Sequence, residues 1–595
     1  MSVFENLRCN DESMASAKRH LIVGIPVMIV LVAGWRYRWV SDDANIDFRV
    51  VQNILHGYGP VFNPGERVEV YTDPLWVAVL AFFSGVFTFI SIQWWSVILG
   101  LIFTGSGFWL AGLATMSLAH KNGDKEVIPL GLMCVSVVGG VWMFATSGLE
   151  TGMIFGWLGL SWWLIVRALC HENRGLFVAA AVLSLGFVIR PDMVLVTICD
   201  GIALGALLLN NGPRHERPRR RRLFLLVLLL TAIPIASELF RIAYFGLLVS
   251  NTALAKSAAS SYWHQGFRYA WNFIRPYYLF VPTLFLGAIM VKRLNGWWRF
   301  GTRLDLLVIA APVVGGVLDI LYVIEVGGDF MHARMLLPGF FVIFSVCWLG
   351  LPISQLSPYP WLSAGVLVWT ILCLVSFRYT VPGIGIDMVA NERMFYVNAS
   401  GAAHPIQPSD YPTWSWYVSG QQIRLAASKV PRGRKVMTQG QDSATGPYFN
   451  VTSNLPEVYY VDVPNIGVLG LAAGDKVYIF DGLSLANPIG SHIALVSRHR
   501  PGHEKFLPSA WLIARFGNPY TQPVPQGASR QELIDAHAAL QCQPLAGYLS
   551  TITQPLTLST VIHNFEHAFT WTTMTFSNFP SRARKQLCSN QAISG

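Results

Sequence analysis

Charge is scarce in this chain: 13% of its 595 residues are Asp, Glu, Lys or Arg, about half the density of a soluble globular protein. That scarcity, alongside 53% hydrophobic residues, excludes an ordinary cytosolic enzyme and equally a disordered chain. Cysteine is also rare, with eight residues, too few for a disulfide scaffold. No Walker loop, Rossmann fingerprint, heptad array or Cys/His zinc spacing occurs. Aromatic residues are abundant: 35 Phe and 21 Trp suit a chain that contacts lipid and anchors at its interfaces. The net charge of +10 then belongs to cytoplasmic loops and implies no nucleic acid.

Crossing about 30 Å of hydrocarbon takes roughly 20 apolar residues in a helix. Such runs lie near 20–39, 95–118, 127–146, 152–169, 176–190, 193–210, 223–240, 277–291, 305–325, 336–351 and 361–379, predicting 11 spans. A long polar lead and the lack of an A-x-A site mark the first run as a span rather than a secretion signal. The run Leu75 to Ile90 is short, and charge decides its fate. The loop Asn211–Arg222 carries Arg214, Arg217, Arg219, Arg220, Arg221 and Arg222, and the loop after the eighth span carries Lys292, Arg293, Arg299 and Arg303. With Lys18 and Arg19 they share the cytoplasmic side only if 75–90 does not cross, so that run reads as an interfacial or re-entrant helix.

This orientation places 40–74, 147–151, 190–192, 241–276 and 326–335 outside the cytoplasm. No long apolar run follows Thr380. The expected organisation is a transmembrane catalytic domain over 1–380, with a first exported loop at 40–94, and a periplasmic domain over 381–595. Strand-like runs at Glu457–Val463 and Lys476–Phe480, with Pro and Gly punctuation, make the latter mixed α/β. Only Cys542 and Cys588 fall in that exported domain, where a disulfide between them would persist.

The densest chemistry follows the first span, in Ser41-Asp42-Asp43-Ala44-Asn45-Ile46-Asp47-Phe48-Arg49. Acids at a membrane surface are often functional. The same acids also suit a helix N-terminus over about 43–56, capped by Ser41 or Asp42 and stabilised by the helix dipole. The two readings are compatible, and both stay open at this stage. The helix is amphipathic, ends at His56-Gly57 with a glycine C-cap, and is expected to lie flat on the membrane.

The run from Asp42 to Trp76 carries a resemblance. So do Val326-Gly327-Gly328-Asp329-Phe330-Met331-His332-Ala333-Arg334, Ile466–Gly470, Val477–Asp481, Leu485-Ala486-Asn487-Pro488 and Arg500–Lys505. In order, these blocks resemble the mycobacterial and corynebacterial terminal β-1,2-arabinofuranosyltransferases, polytopic lipid-linked glycosyltransferases of the GT-C fold. Asn45 stands where the resemblance expects an aromatic, and Asn487 where it expects Asp. The resemblance implies a decaprenyl-phospho-arabinose donor, arabinan acceptor ends in arabinogalactan and lipoarabinomannan, and an active site facing the periplasm from the plasma membrane. It implies no nucleic acid partner, and the need for a divalent metal is not legible from the sequence.

Chemistry then distributes roles. The acceptor hydroxyl must be deprotonated and the departing phosphate neutralised. Asp42, Asp43 and Asp47 are the catalytic candidates. Lys256, Arg268, Arg275 and Arg334 are phosphate candidates, although Lys and Arg at such places also anchor to headgroups. Arg49, Glu150, Arg190, Asp192, Asp329 and His332 complete the predicted substrate-binding set, with Arg190 and Asp192 equally readable as a structural pair at a tight turn. The family's donor and product are both β, a net retention that one in-line attack cannot give. Rival readings are a GT-C enzyme moving another polyprenyl-linked sugar, a lipid-linked sugar transporter, and a non-catalytic surface-assembly factor. A transporter should show inverted repeats, and none is visible.

Overall fold

A computed structural model describes residues 13–124, 126–171, 173–211, 216–300, 303–351, 360–439, 449–525 and 527–589. Among them six helices are long and apolar enough to cross a membrane: Ala17–Arg36, Ile92–Lys121, Thr151–Cys170, Pro191–Asn210, Arg219–Phe245 and Arg303–Glu325. The pair Trp263–Tyr277 and Phe280–Lys292, bent by 89°, makes a seventh if counted as one span. Shorter apolar helices are Pro74–Val86, Leu176–Ile189, Arg334–Ser345 and Trp361–Val375.

Two expectations need correction. The run 127–146 is not one helix but two, Leu130–Ser136 and Gly139–Phe144. Val135, Val137, Val138 and the following Gly139-Gly140 are poor helix formers, and the segment is buried, so no lipid meets its broken backbone. The Arg-rich stretch is not all loop: the helix Glu216–Phe245 begins within it, so Arg219–Arg222 form its early turns. Arg214 lies outside the described residues.

The chain folds as two compact units. The first comprises 1–39, 96–235 and 262–395, and the second 40–95, 236–261 and 396–595. This division differs from a cut at 380, because the first loop belongs to the second unit. In the first unit, helices Ile92–Lys121 and Thr151–Cys170 meet backbone to backbone. A Cβ on Gly159 would lie 2.1 Å from the Gly107 carbonyl, and one on Gly152 2.5 Å from that of Gly100. Small residues at helical spacing are what permit this approach without water to drive it.

The second unit holds a four-stranded sheet in the order Phe449–Asn450, Val436–Gln439, Tyr459–Val463, Val477–Asp481. The first pair is antiparallel and the other two are parallel. The last two strands are buried along their whole length, as parallel strands covered on both faces are. Helix Val468–Ala473 connects them. Helices Ala510–Phe516, Arg530–Leu540, Leu545–Thr553, Leu558–Thr573 and Pro580–Cys588 complete the core, and Cys542 is disulfide-bonded to Cys588.

The first-loop helix spans Asp42–Leu55 with Ser41 as N-cap, its hydroxyl accepting from the Ala44 amide. It does not lie exposed on a membrane. Residues Ala44 to Val51 are all buried, because the helix packs into the second unit. The loop after it supplies Asn63, whose side chain accepts from the Ile479 amide at 3.0 Å and donates to the Ile479 carbonyl at 2.9 Å. That pairing closes the edge of strand Val477–Asp481 with a side chain instead of another strand. Buried Glu66 accepts from the Tyr478 hydroxyl at 2.8 Å and from Arg515, and Glu69 accepts from Arg241 at 2.7 Å.

Candidate functional site

Asp42 opens the first-loop helix, and its partly exposed carboxylate reaches the start of Val468–Ala473. It accepts from the Val468 amide at 2.7 Å and the Gly467 amide at 3.3 Å. Gly467 has to be glycine here, since an added Cβ would lie 2.0 Å from the Asp42 carbonyl. Burial pushes the Asp42 carboxyl up to about 7; the Val468 amide opposes this, the Asp43 charge adds to it, and the Gly467 amide opposes it again. A carboxyl that exchanges its proton near neutrality is suited to general acid–base work. Asp43 is half-buried beside it, and Asp47, one turn on, is buried.

Arg49, expected to meet substrate, is buried and engaged with the backbone. Its Nε donates to the Phe62 carbonyl at 2.9 Å, Nη2 to that of Val477 at 2.7 Å and Nη1 to that of Gly470. The guanidinium carbon lies 4.8 Å from the centre of the Phe62 ring. All three nitrogens serve backbone carbonyls in a buried place, so Arg49 is a structural clamp.

Lys256 follows helix Asn251–Ala255 and is half-buried, with its methylenes packed on Gly502. The neighbouring loop contributes Lys505, whose ammonium donates to the carbonyls of Leu254 and Ser491, each at 2.7 Å. Burial lowers that ammonium to about 8, with Glu504 opposing. Lys505 was not singled out from sequence, although it closes the Arg500–Lys505 block. The missing signal was its neighbour Leu254, distant in sequence.

In the first unit, loops at helix ends bring Glu150, Arg190, Asp192, Asp329 and Arg334 together. Arg190 grips Asp192 through Nε, at 2.7 and 3.0 Å to the two oxygens, and through Nη2. Its Nη1 lies 3.5 Å from Glu150. Arg334 donates to Glu150 at 3.1 and 3.3 Å and lies 3.7 Å from Asp329. Burial alone would raise the Glu150 carboxyl, but Arg334 and Arg190 hold it below its ordinary value. Asp319, buried on helix Arg303–Glu325, adds a further carboxylate beside Asp192 and Arg190. Four carboxylates thus face two guanidiniums already engaged by them. Such a cluster is suited to accepting hydrogen bonds from hydroxyls, and Arg334, expected as a phosphate ligand, is engaged by Glu150 and Asp329. The turn that delivers Asp329 needs Gly327 and Gly328, both at positive φ.

His332 is likewise structural. Its Nδ1 pairs with Asn272 Oδ1 at 2.6 Å, its Nε2 with the Tyr277 hydroxyl at 3.1 Å, and its ring stacks on Tyr379 at 4.0 Å. Burial lowers its pKa to about 3, so it stays neutral. Arg268 and Arg275 sit exposed on helix Trp263–Tyr277 beside exposed Trp263, Phe267 and Trp271, in the position of interface anchors. Among the described residues, His563, Glu566 and His567 bring ligand atoms within 4.8 Å of one another and could hold a metal ion. They stand on helix Leu558–Thr573.

The apolar helices define a multi-pass membrane protein, and the relatives define its class as a membrane glycosyltransferase. A sequence profile described as the AftB family C-terminal domain matches residues 420–586. The terminal β-(1→2)-arabinofuranosyltransferase of Mycobacterium tuberculosis (strain ATCC 25618 / H37Rv) is 31% identical over 612 residues, covering 92% of this chain and 93% of that one. The Corynebacterium glutamicum protein of the same name is 28% identical over 598 residues, covering 90% and 83%. No solved structure matches the chain. The chain belongs to the family of terminal β-(1→2)-arabinofuranosyltransferases.

Proposed function

We propose that this enzyme transfers arabinofuranose from decaprenyl-phospho-arabinose to the non-reducing ends of cell-wall arabinan, in arabinogalactan and lipoarabinomannan, forming terminal β-1,2 linkages. The names of the two relatives support the sugar and the linkage. We read the chain as eleven spans: the seven long segments, Leu176–Ile189, Arg334–Ser345, Trp361–Val375, and the interrupted 130–144 segment. Arg219–Arg222 would then be cytoplasmic, with loop 40–94 and the C-terminal residues in the periplasm.

The reading of the chemistry rests on Asp42, poised near neutral pH beside Asp43. A carboxyl whose proton affinity is raised to near neutrality suits a general base. In the first step Asp43 attacks the anomeric carbon as the phosphate leaves with the bonding electrons. In the second, Asp42 takes the proton of the acceptor 2-hydroxyl, whose oxygen displaces Asp43 and forms the new glycosidic bond. Two inversions give retention. Lys256, packed on the Arg500–Lys505 block, is the cation for the phosphate.

Purified Asp42→Asn and Asp43→Asn variants, assayed with polyprenyl-phospho-arabinose and a synthetic arabinan acceptor, test this. Each should remain monodisperse, and Asp42→Asn should lose about 10²–10⁴ in rate, as for a missing general base. Both retaining more than roughly a third of wild-type rate would remove the acids from the chemistry.

A further inference from the structure

Helix Leu558–Thr573 belongs to the part of the chain that composition reads as soluble, yet it exposes Leu558 (77%), Ile562 (51%), Phe565 (44%) and Phe569 (69%). Their spacing of four, three and four residues places them within an arc of about 60° on the helix. They form one continuous stripe of large apolar side chains. Singly exposed apolar residues are ordinary, but an aligned set marks an interaction surface.

An adjoining side of this helix, with Asn564, Ala568 and Trp571, is buried and shows where the stripe sits. Asn564 donates from its side-chain nitrogen to the Ala243 carbonyl at 2.8 Å. The Thr572 hydroxyl accepts from the Leu248 amide at 2.8 Å. A Cβ added at Gly246 would lie 3.1 Å from the Trp571 ring. Residues 243–248 are the end of the apolar helix Arg219–Phe245, long enough to cross a membrane, and the chain just beyond it. Its last turns expose Leu239 and Phe240 at 49% each. The helix is therefore pinned at the level where that span leaves the hydrocarbon.

We propose that Leu558–Thr573 is an interfacial helix, with Leu558, Ile562, Phe565 and Phe569 inserted among the acyl chains of the outer leaflet. The occupant of the stripe is lipid because the stripe continues the lipid-facing surface of the span to which the helix is bonded. His563 and His567 occupy the flank turned away from the stripe, Glu566 stands just beyond its edge, and all three remain in water. The helix contains no Lys or Arg, so its insertion depends on apolar burial and not on anionic headgroups.

The test uses the full-length protein in nanodiscs, with nitroxide labels at Ile562→Cys, Phe569→Cys and Glu566→Cys in a background lacking the free cysteines. Power saturation compares collisions with oxygen, which concentrates in lipid, and with a water-soluble nickel chelate. Positions 562 and 569 should favour oxygen and position 566 the chelate, equally in phosphatidylcholine and in discs containing phosphatidylglycerol. Chelate-favoured collisions at 562 and 569 would overturn the proposal. So would exclusion of both reagents there, which would mean that protein or a second copy covers the stripe. Oxygen preference only with anionic lipid would overturn the apolar mechanism. The labelled side chains are exposed, and size exclusion confirms that each variant folds.

Discussion

Replacing Arg49 separates a structural role from a substrate-binding one. In Arg49→Met the carbonyls of Gly470 and Val477 lose this donor inside a buried region, while that of Phe62 keeps the Asn53 side-chain amide at 3.0 Å. An orphaned buried polar group costs about 1–3 kcal/mol, and bonds to a charged donor lie at the upper end. Part of this is offset because a costly buried charge disappears with the guanidinium. That charge is disfavoured where it stands: burial lowers the Arg49 pKa to about 10, with Glu457 and Asp475 opposing. The net expectation is a loss of roughly 3–5 kcal/mol. At about 2–4 °C per kcal/mol this lowers the melting temperature by about 6–20 °C. Arg49→Lys should recover little, because one ammonium cannot reach three divergent carbonyls. The assay is thermal unfolding of detergent-purified variants with transfer kinetics at a temperature where each is folded. A variant that melts within about 2 °C of wild type while KM for the donor rises tenfold would refute the clamp and return Arg49 to the substrate site.

Four further outcomes are expected. With the Asp42 carboxyl pushed up to about 7, kcat/KM should rise with pH and level off above that value; a flat profile from about pH 5 to 8 would count against Asp42 as base. The same raised value means that the folded state holds a proton the unfolded state has lost, so stability should fall as pH rises from about 4 to 7, and Asp42→Asn should flatten that slope. Breaking the disulfide with Cys588→Ser opens a closure of 46 residues, worth about 3–4 kcal/mol in the chain-entropy view, and should lower the melting temperature of the variant measurably. An impermeant thiol reagent on intact cells should label Gln531→Cys and spare Arg219→Cys, and labelling at 219 would invert the topology.

What the sequence determined by itself is whatever depends on neighbours along the chain. Apolar runs of spanning length yielded most of the helices, because burying a backbone in lipid demands an uninterrupted helix. Ser41 before Asp42-Asp43 marked a helix start, because capping is a three-residue interaction. Strand-like runs at Glu457–Val463 and Lys476–Phe480, bounded by Pro and Gly, marked the strands Tyr459–Val463 and Val477–Asp481. The tertiary structure alone decided which charges are available to a substrate. Arg49 is occupied by carbonyls of Gly470 and Val477, and Arg334 by Glu150, partners far away in sequence. Asp42 acquired its raised proton affinity from burial, against the opposing pull of amides more than 400 positions later in the chain. The apolar stripe of Leu558–Thr573 is visible in spacing, but that spacing equally describes a helix facing a protein core. Only its bonds to residues 243–248 tell lipid from core, because hydrophobic burial has no direction until tertiary contacts supply one.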